Sequence, residues 1–90
     1  MQYNVRYEDI TINTNQQAFD PTGASSITFE NYGDEDVIIN QGIKLDQGTS
    51  IDFANEPYEV IKSTFKIQFS GAGVNPNVQV IKKFSTKTTK

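Results

Sequence analysis

Along most of the chain, apolar and polar residues alternate with a period of two, which is the signature of half-buried strands. Tyr3, Val5 and Tyr7 alternate with polar neighbours, and Ile10 and Ile12 continue in the opposite parity. The change falls at Glu8-Asp9, as a β-bulge or strand break produces, and predicts a strand over about 3–13, bent near residue 8. Residues 26–30 alternate with Ile27 and Phe29 inward, and 36–40 hold the run Val37-Ile38-Ile39. Two short alternating segments, 43–46 and 50–53, flank Gln47-Gly48 and predict a hairpin or a sharp corner. The cleanest alternation is 64–70, with Phe65, Ile67 and Phe69 inward and Lys66 and Gln68 outward. Residues 78–84 form the last predicted strand, hairpinned to 64–70 across the loop Gly71–Asn77.

Turn chemistry separates these runs. Residues 14–24 are polar and contain Asp20-Pro21-Thr22-Gly23, which suits a type I turn, so a loop is expected there. Asn31-Tyr32-Gly33-Asp34, Gln41-Gly42 and Ala54-Asn55-Glu56-Pro57 also break the pattern, and the pattern resumes weakly over 58–61. Residues 85–90 read as a polar, extended tail. The sum is a single β domain over 1–90 with six to eight short strands and no significant helix. Its expected form is a small antiparallel β-sandwich, immunoglobulin-like, or a partly open barrel. The predicted core is Val5, Tyr7, Ile10, Ile12, Ile27, Phe29, Val37, Ile39, Leu45, Ile51, Phe53, Ile61, Phe65, Ile67, Phe69, Val78, Val80 and Phe84.

Composition agrees with that reading. There are ten Ile, six Val and nine Thr against one Leu. β-branched side chains suit a pleated surface and lose little there, whereas helix fillers are scarce. No apolar run approaches the roughly 20 residues of a membrane-spanning helix. The first six residues carry no apolar signal core, so no cleaved leader is expected. A domain this small, without cysteine, is often helped by association with a partner or with itself.

Charge changes the picture more than composition does. Residues 1–59 hold all eleven acids with only Arg6 and Lys44, whereas 60–90 hold six lysines and no acid. Segregated strand faces explain this in the plainest way. The alternative is that Lys62, Lys66, Lys82, Lys83 and Lys87 dock on an acidic surface of a neighbouring protein. Nucleic acid is not the expected partner, because the domain is acidic overall and has one Arg. Lysines on an outer strand also simply discourage edge-to-edge aggregation.

The chemistry available is narrow. His, Cys and Trp are absent, so imidazole bases, thiolates and the usual zinc ligands are missing. No Gly-x-Ser-x-Gly or Ser-x-x-Lys spacing occurs, and no enzyme activity or cofactor is expected. Asp34-Glu35-Asp36 with Asn31 offers oxygen ligands of the kind Ca²⁺ takes, but in no EF-hand spacing. Gly71-Ala72-Gly73 lacks the Lys-Ser/Thr and following helix of a phosphate loop and reads as a turn. Tyr32 and Tyr58, beside turns, are the candidates for stacking on a sugar ring.

One skeleton is similar to a known family. It runs Ile27-Thr28-Phe29-x-Asn31-x-Gly33, Val37-x-Ile39-Asn40, Leu45-x-x-Gly48-x-Ser50-Ile51-x-Phe53 and Phe65-x-Ile67-x-Phe69. Over about residues 25–84 it resembles small β-sandwich virion proteins of tailed, crAss-like bacteriophages. The resemblance implies an auxiliary or decoration protein, present in many copies on the outside of a capsid and bound to the major capsid protein. Such a protein is made in the host cytoplasm and ends in the virion, and it has no catalytic residue to carry over. The alternative expectation is a carbohydrate- or receptor-binding β-sandwich module contacting its ligand through Tyr32 and Tyr58.

Overall fold

The computed structural model describes residues 3–21, 23–54, 60–61 and 63–87, and the side chains of all of these except 3, 86 and 87. Among them are eight strands and no helix: β1 (Tyr3–Ile12), β2 (Gln16–Phe19), β3 (Ser26–Asn31), β4 (Val37–Ile39), β5 (Ile43–Leu45), β6 (Ser50–Ala54), β7 (Phe65–Phe69) and β8 (Val78–Lys87). They form two four-stranded antiparallel sheets, ordered β1-β8-β3-β6 and β2-β7-β4-β5. The fold is therefore an all-β sandwich.

The pairing is nested. β4 pairs with β5, β3 with β6, β2 with β7 and β1 with β8, as in one long hairpin. Rolling that hairpin brings β8 against β3 and β7 against β4. An eight-stranded roll of this connectivity is a jelly roll, one way a β protein limits its exposed edges. The strand order thus refines the expected immunoglobulin-like sandwich. The roll also corrects one expected connection. β7 and β8 lie in different sheets, so 70–77 crosses the sandwich and does not close a hairpin. The segments around Gln47-Gly48 likewise make a corner between sheets.

The core fills the space between the sheets. Ile12, Ile27, Phe29, Val37, Ile39, Leu45, Phe65, Ile67, Val78 and Val80 form one buried cluster. Phe29, fully buried, meets Phe19, Phe53 and Phe65 edge to face, with centroids 6.3, 6.0 and 5.2 Å away. Such contacts add to the burial term that dominates a small core.

Three predicted core residues are not in it. Val5 is 47% and Tyr7 62% exposed, and Phe84 is half-buried. β1 is one continuous strand in unbroken register with β8, with no bulge at residue 8. Its even residues, Ile10 and Ile12, face the core opposite Val80 and Val78. Its odd residues therefore face outward, and the apolar parity changes along a regular strand.

Segment 14–24 is also more than a loop. Gln16 pairs with Ile67 and Phe19 with Phe65 across an irregular register, which makes β2 an edge of the second sheet. The expected polar tail begins as strand, because β8 runs to Lys87, opposite Tyr3.

Candidate interaction surface

The β1–β8 ribbon outruns the rest of its sheet. β3 pairs with β8 only as far as Lys83, so beyond that point residues 84–87 pair with 3–6 alone. The result is a two-stranded arm, part of what stretches the molecule to 52 Å along its longest axis. On one face of the arm the Arg6 guanidinium lies 4.2 Å from the centre of the Phe84 ring and also pairs with Glu8. On the other face is Val5, with Tyr7 where the arm meets the sheet, both exposed. Two-stranded ribbons are marginal alone; this one continues from its three-stranded inner half, meets Ser25 through the Ser85 hydroxyl at 3.2 Å, and is braced across its own strands by the Arg6–Phe84 stack.

The predicted lysines do not form one patch. Lys66 lies on the outer face of the second sheet, between the inward Phe65 and Ile67. Lys83 points outward from the first sheet, opposite Tyr7, because its neighbour Lys82 shares the parity of buried Val80. Lys82 turns toward the sandwich rim, where Nζ donates to the Asp20 carbonyl at 3.1 Å and lies 5.1 Å from the Phe19 ring. Lys87 has its backbone in the arm, while Lys62 and Tyr58 lie outside the described residues. A docking surface made of all five is therefore not assembled on one face.

At the opposite end, the loops 32–36, 46–49 and 70–77 are stitched together by polar side chains. Asp34 accepts hydrogen bonds from the Val74 and Asn75 amides, each at 2.9 Å, and these hold its carboxyl below the ordinary value. Buried Glu35 accepts from the Gly71 amide at 2.6 Å and the Ser70 hydroxyl at 3.2 Å. Asp36 pairs with Lys44 at 3.5 Å. The acidic run considered for Ca²⁺ thus spends its carboxylates on loop amides and a lysine. Among the described residues, no group of three or more acidic side chains is placed to hold a metal ion. Gly33 is required here, because a β-carbon would lie 2.7 Å from the Asn77 nitrogen and 2.8 Å from the Asn75 carbonyl oxygen.

Tyr32 is 62% exposed at this end and lines a shallow depression of about 90 Å³ with Glu30, Asn31, Thr49 and Ser50. Its hydroxyl donates to Glu30 at 3.3 Å, and the nearby carboxylate charge raises its pKa. The depression is well below the roughly 300 Å³ at which small-molecule pockets begin.

Sequence reasoning passed over Val5 and Tyr7 as surface residues. Alternation placed them correctly on a common face but did not reveal that no second sheet covers it. Comparison with protein-family models, curated proteins and solved structures finds no match. The class defined by the structure is that of a small jelly-roll β-sandwich, and the particular protein is characterised by its arm and its clamped loops.

Proposed function

We propose that this chain is a structural protein of a repeated particle, an auxiliary protein on the outside of a phage capsid held by protein–protein contacts. The observation that carries the reading is the β1–β8 arm, with Val5 exposed on it and Tyr7 exposed at its base. Apolar side chains on a projecting ribbon suit contact with another protein. Jelly rolls serve in capsid and lectin domains alike, so the fold is compatible with this role without selecting it. The major capsid protein is the proposed partner, with Lys83 beside the apolar pair available to an acidic surface. Copies around a closed shell add their weak contacts as avidity.

The test is co-sedimentation of purified protein with shells of the source phage that lack it. Saturable, stoichiometric binding that weakens with Tyr7→Asp supports the proposal. Absence of binding at every salt concentration overturns it.

A second reading has one observation behind it. Tyr32 stands exposed beside the Glu30 carboxylate and the Thr49 and Ser50 side chains, an aromatic face next to polar groups of the kind a sugar takes. A glycan array separates the two, because hits lost in Tyr32→Ala favour this second reading.

A further inference from the structure

β1 is the outer edge of the first sheet, and the ladder determines which of its backbone groups are free. The Tyr32 amide donates to the Asn77 carbonyl at 2.9 Å, in line with the β3–β8 register. Even residues of β3 therefore bond toward β8, and odd residues of β8, their partners, bond toward β3. The Ser25 amide, donating to the Lys83 carbonyl at 2.8 Å, agrees. Because successive residues point to opposite sides, even residues of β8 bond toward β1, which places the bonds at Arg6–Phe84, Glu8–Lys82 and Ile10–Val80. The N–H and C=O groups of Tyr3, Val5, Tyr7, Asp9 and Thr11 then face away from the sheet. Among the described residues these groups have no backbone partner.

We infer that this edge pairs with β1 of a second copy of the chain, antiparallel about a two-fold axis through Tyr7, joining the two first sheets into one. The sequence is self-complementary only in that register. Centring the axis on Arg6 opposes two guanidiniums, centring it on Glu8 opposes two carboxylates, and centring it on Asp9 does the same. Axes at Val5 and at Ile10 leave little overlap, Tyr3–Tyr7 and Glu8–Ile12. The axis at Tyr7 overlaps Tyr3 through Thr11 and sets Arg6 opposite Glu8 of the second copy, twice by symmetry. Those positions are non-hydrogen-bonded pairs, whose α-carbons approach to about 4.5 Å, the closer of the two spacings. Tyr7 meets its own symmetry mate in a hydrogen-bonded pair, and Val5 lies opposite Asp9 of the second copy, with these side chains still on the outward face of the joined sheet. Backbone hydrogen bonds supply the attraction, and the charges select the register. Edge charges ordinarily discourage such pairing. Here their order makes one alignment attractive and the neighbouring ones repulsive, as an isologous contact demands.

The inference is independent of the capsid reading, since its test uses the isolated protein. Sedimentation equilibrium of the full chain is expected to show a monomer–dimer equilibrium. Arg6→Glu places like charges opposite each other and weakens the dimer by about tenfold or more. The double variant Arg6→Glu/Glu8→Arg restores it to within a few fold. Tyr7→Pro removes an amide that faces away from β8, so it abolishes the dimer while circular dichroism of the monomer is retained. A chain that stays monomeric as concentration rises overturns the proposal. So does a dimer indifferent to both the charge reversal and Tyr7→Pro, whereas rescue by the double variant carries it.

Discussion

The side-chain amide of Asn31 donates to the main-chain carbonyl of Leu45 at 3.0 Å, across from the first sheet to the second. The same nitrogen donates to the Glu35 carbonyl at 2.8 Å, and its oxygen accepts from the Gly33 amide at 3.0 Å. Asn31 is 1% exposed, so water does not replace these bonds when the amide is removed. Asn31→Leu leaves two buried carbonyls and an amide unpartnered, at about 1–3 kcal/mol each before relaxation. We expect a loss of about 2–4 kcal/mol in urea unfolding, among the largest of any polar substitution in the domain. A variant with wild-type stability contradicts this account of the loop end.

Asp34 makes stability depend on acid. Hydrogen bonds from the Val74 and Asn75 amides favour the charged form and lower its pKa in the folded state. A lowered folded pKa means that the contribution is full above the unfolded value, near pH 4. It fades as pH falls through the lower folded value. Melting temperatures measured from pH 6 down to pH 2 should therefore drop less steeply in Asp34→Asn than in the native chain. Equal slopes count against the clamp.

The turn between β4 and β5 carries strain that glycine removes. Asn40 and Gln41 both have positive φ, 54° and 67°, as a type I′ turn requires. Asn tolerates that region, and its carbonyl oxygen Oδ1 accepts from the Lys66 amide at 3.0 Å, so it has two reasons to stay. Gln41 has neither advantage. Gln41→Gly is expected to raise stability by about 0.5–1 kcal/mol, read as a shift in the urea midpoint at unchanged slope. Gly at position 40 is expected to lower it.

The Tyr32 phenol reports on its neighbour. The Glu30 charge is the leading cause of its raised pKa, with loss of hydration and the hydrogen bond to Glu30 adding to it. Glu30→Gln removes the charge, and the phenolate absorbance of Tyr32 should then titrate closer to the ordinary value near about 10. Difference spectra against Tyr32→Phe isolate this residue from the other tyrosines. No displacement means that the two side chains do not meet in solution.

Much of the fold was legible because a strand buried on one face must alternate. Phe65, Ile67 and Ile27, Phe29 show this plainly, and all four are buried. Val5 and Tyr7 alternate equally well yet lie outside, since periodicity reports a shared face and not what covers it. β2 escaped notice because Gln16, Gln17 and Ala18 leave Phe19 as the one large apolar side chain of a short, irregular edge. The order of the strands was beyond local pattern altogether, because β1 finds β8 across nearly the whole chain. The lysines were legible as a charge excess late in the sequence, but strand parity sends Lys66 and Lys83 to opposite sides of the sandwich.

The nested pairing has a consequence for synthesis. β8 is the last strand to be made, yet it sits inside its sheet, between β1 and β3. Until it leaves the ribosome, β3 is paired with β6 alone and β1 has no partner in that sheet. Closure of the sheet therefore awaits synthesis of β8, and β1 stays without its strand partner until the chain has been made past residue 87.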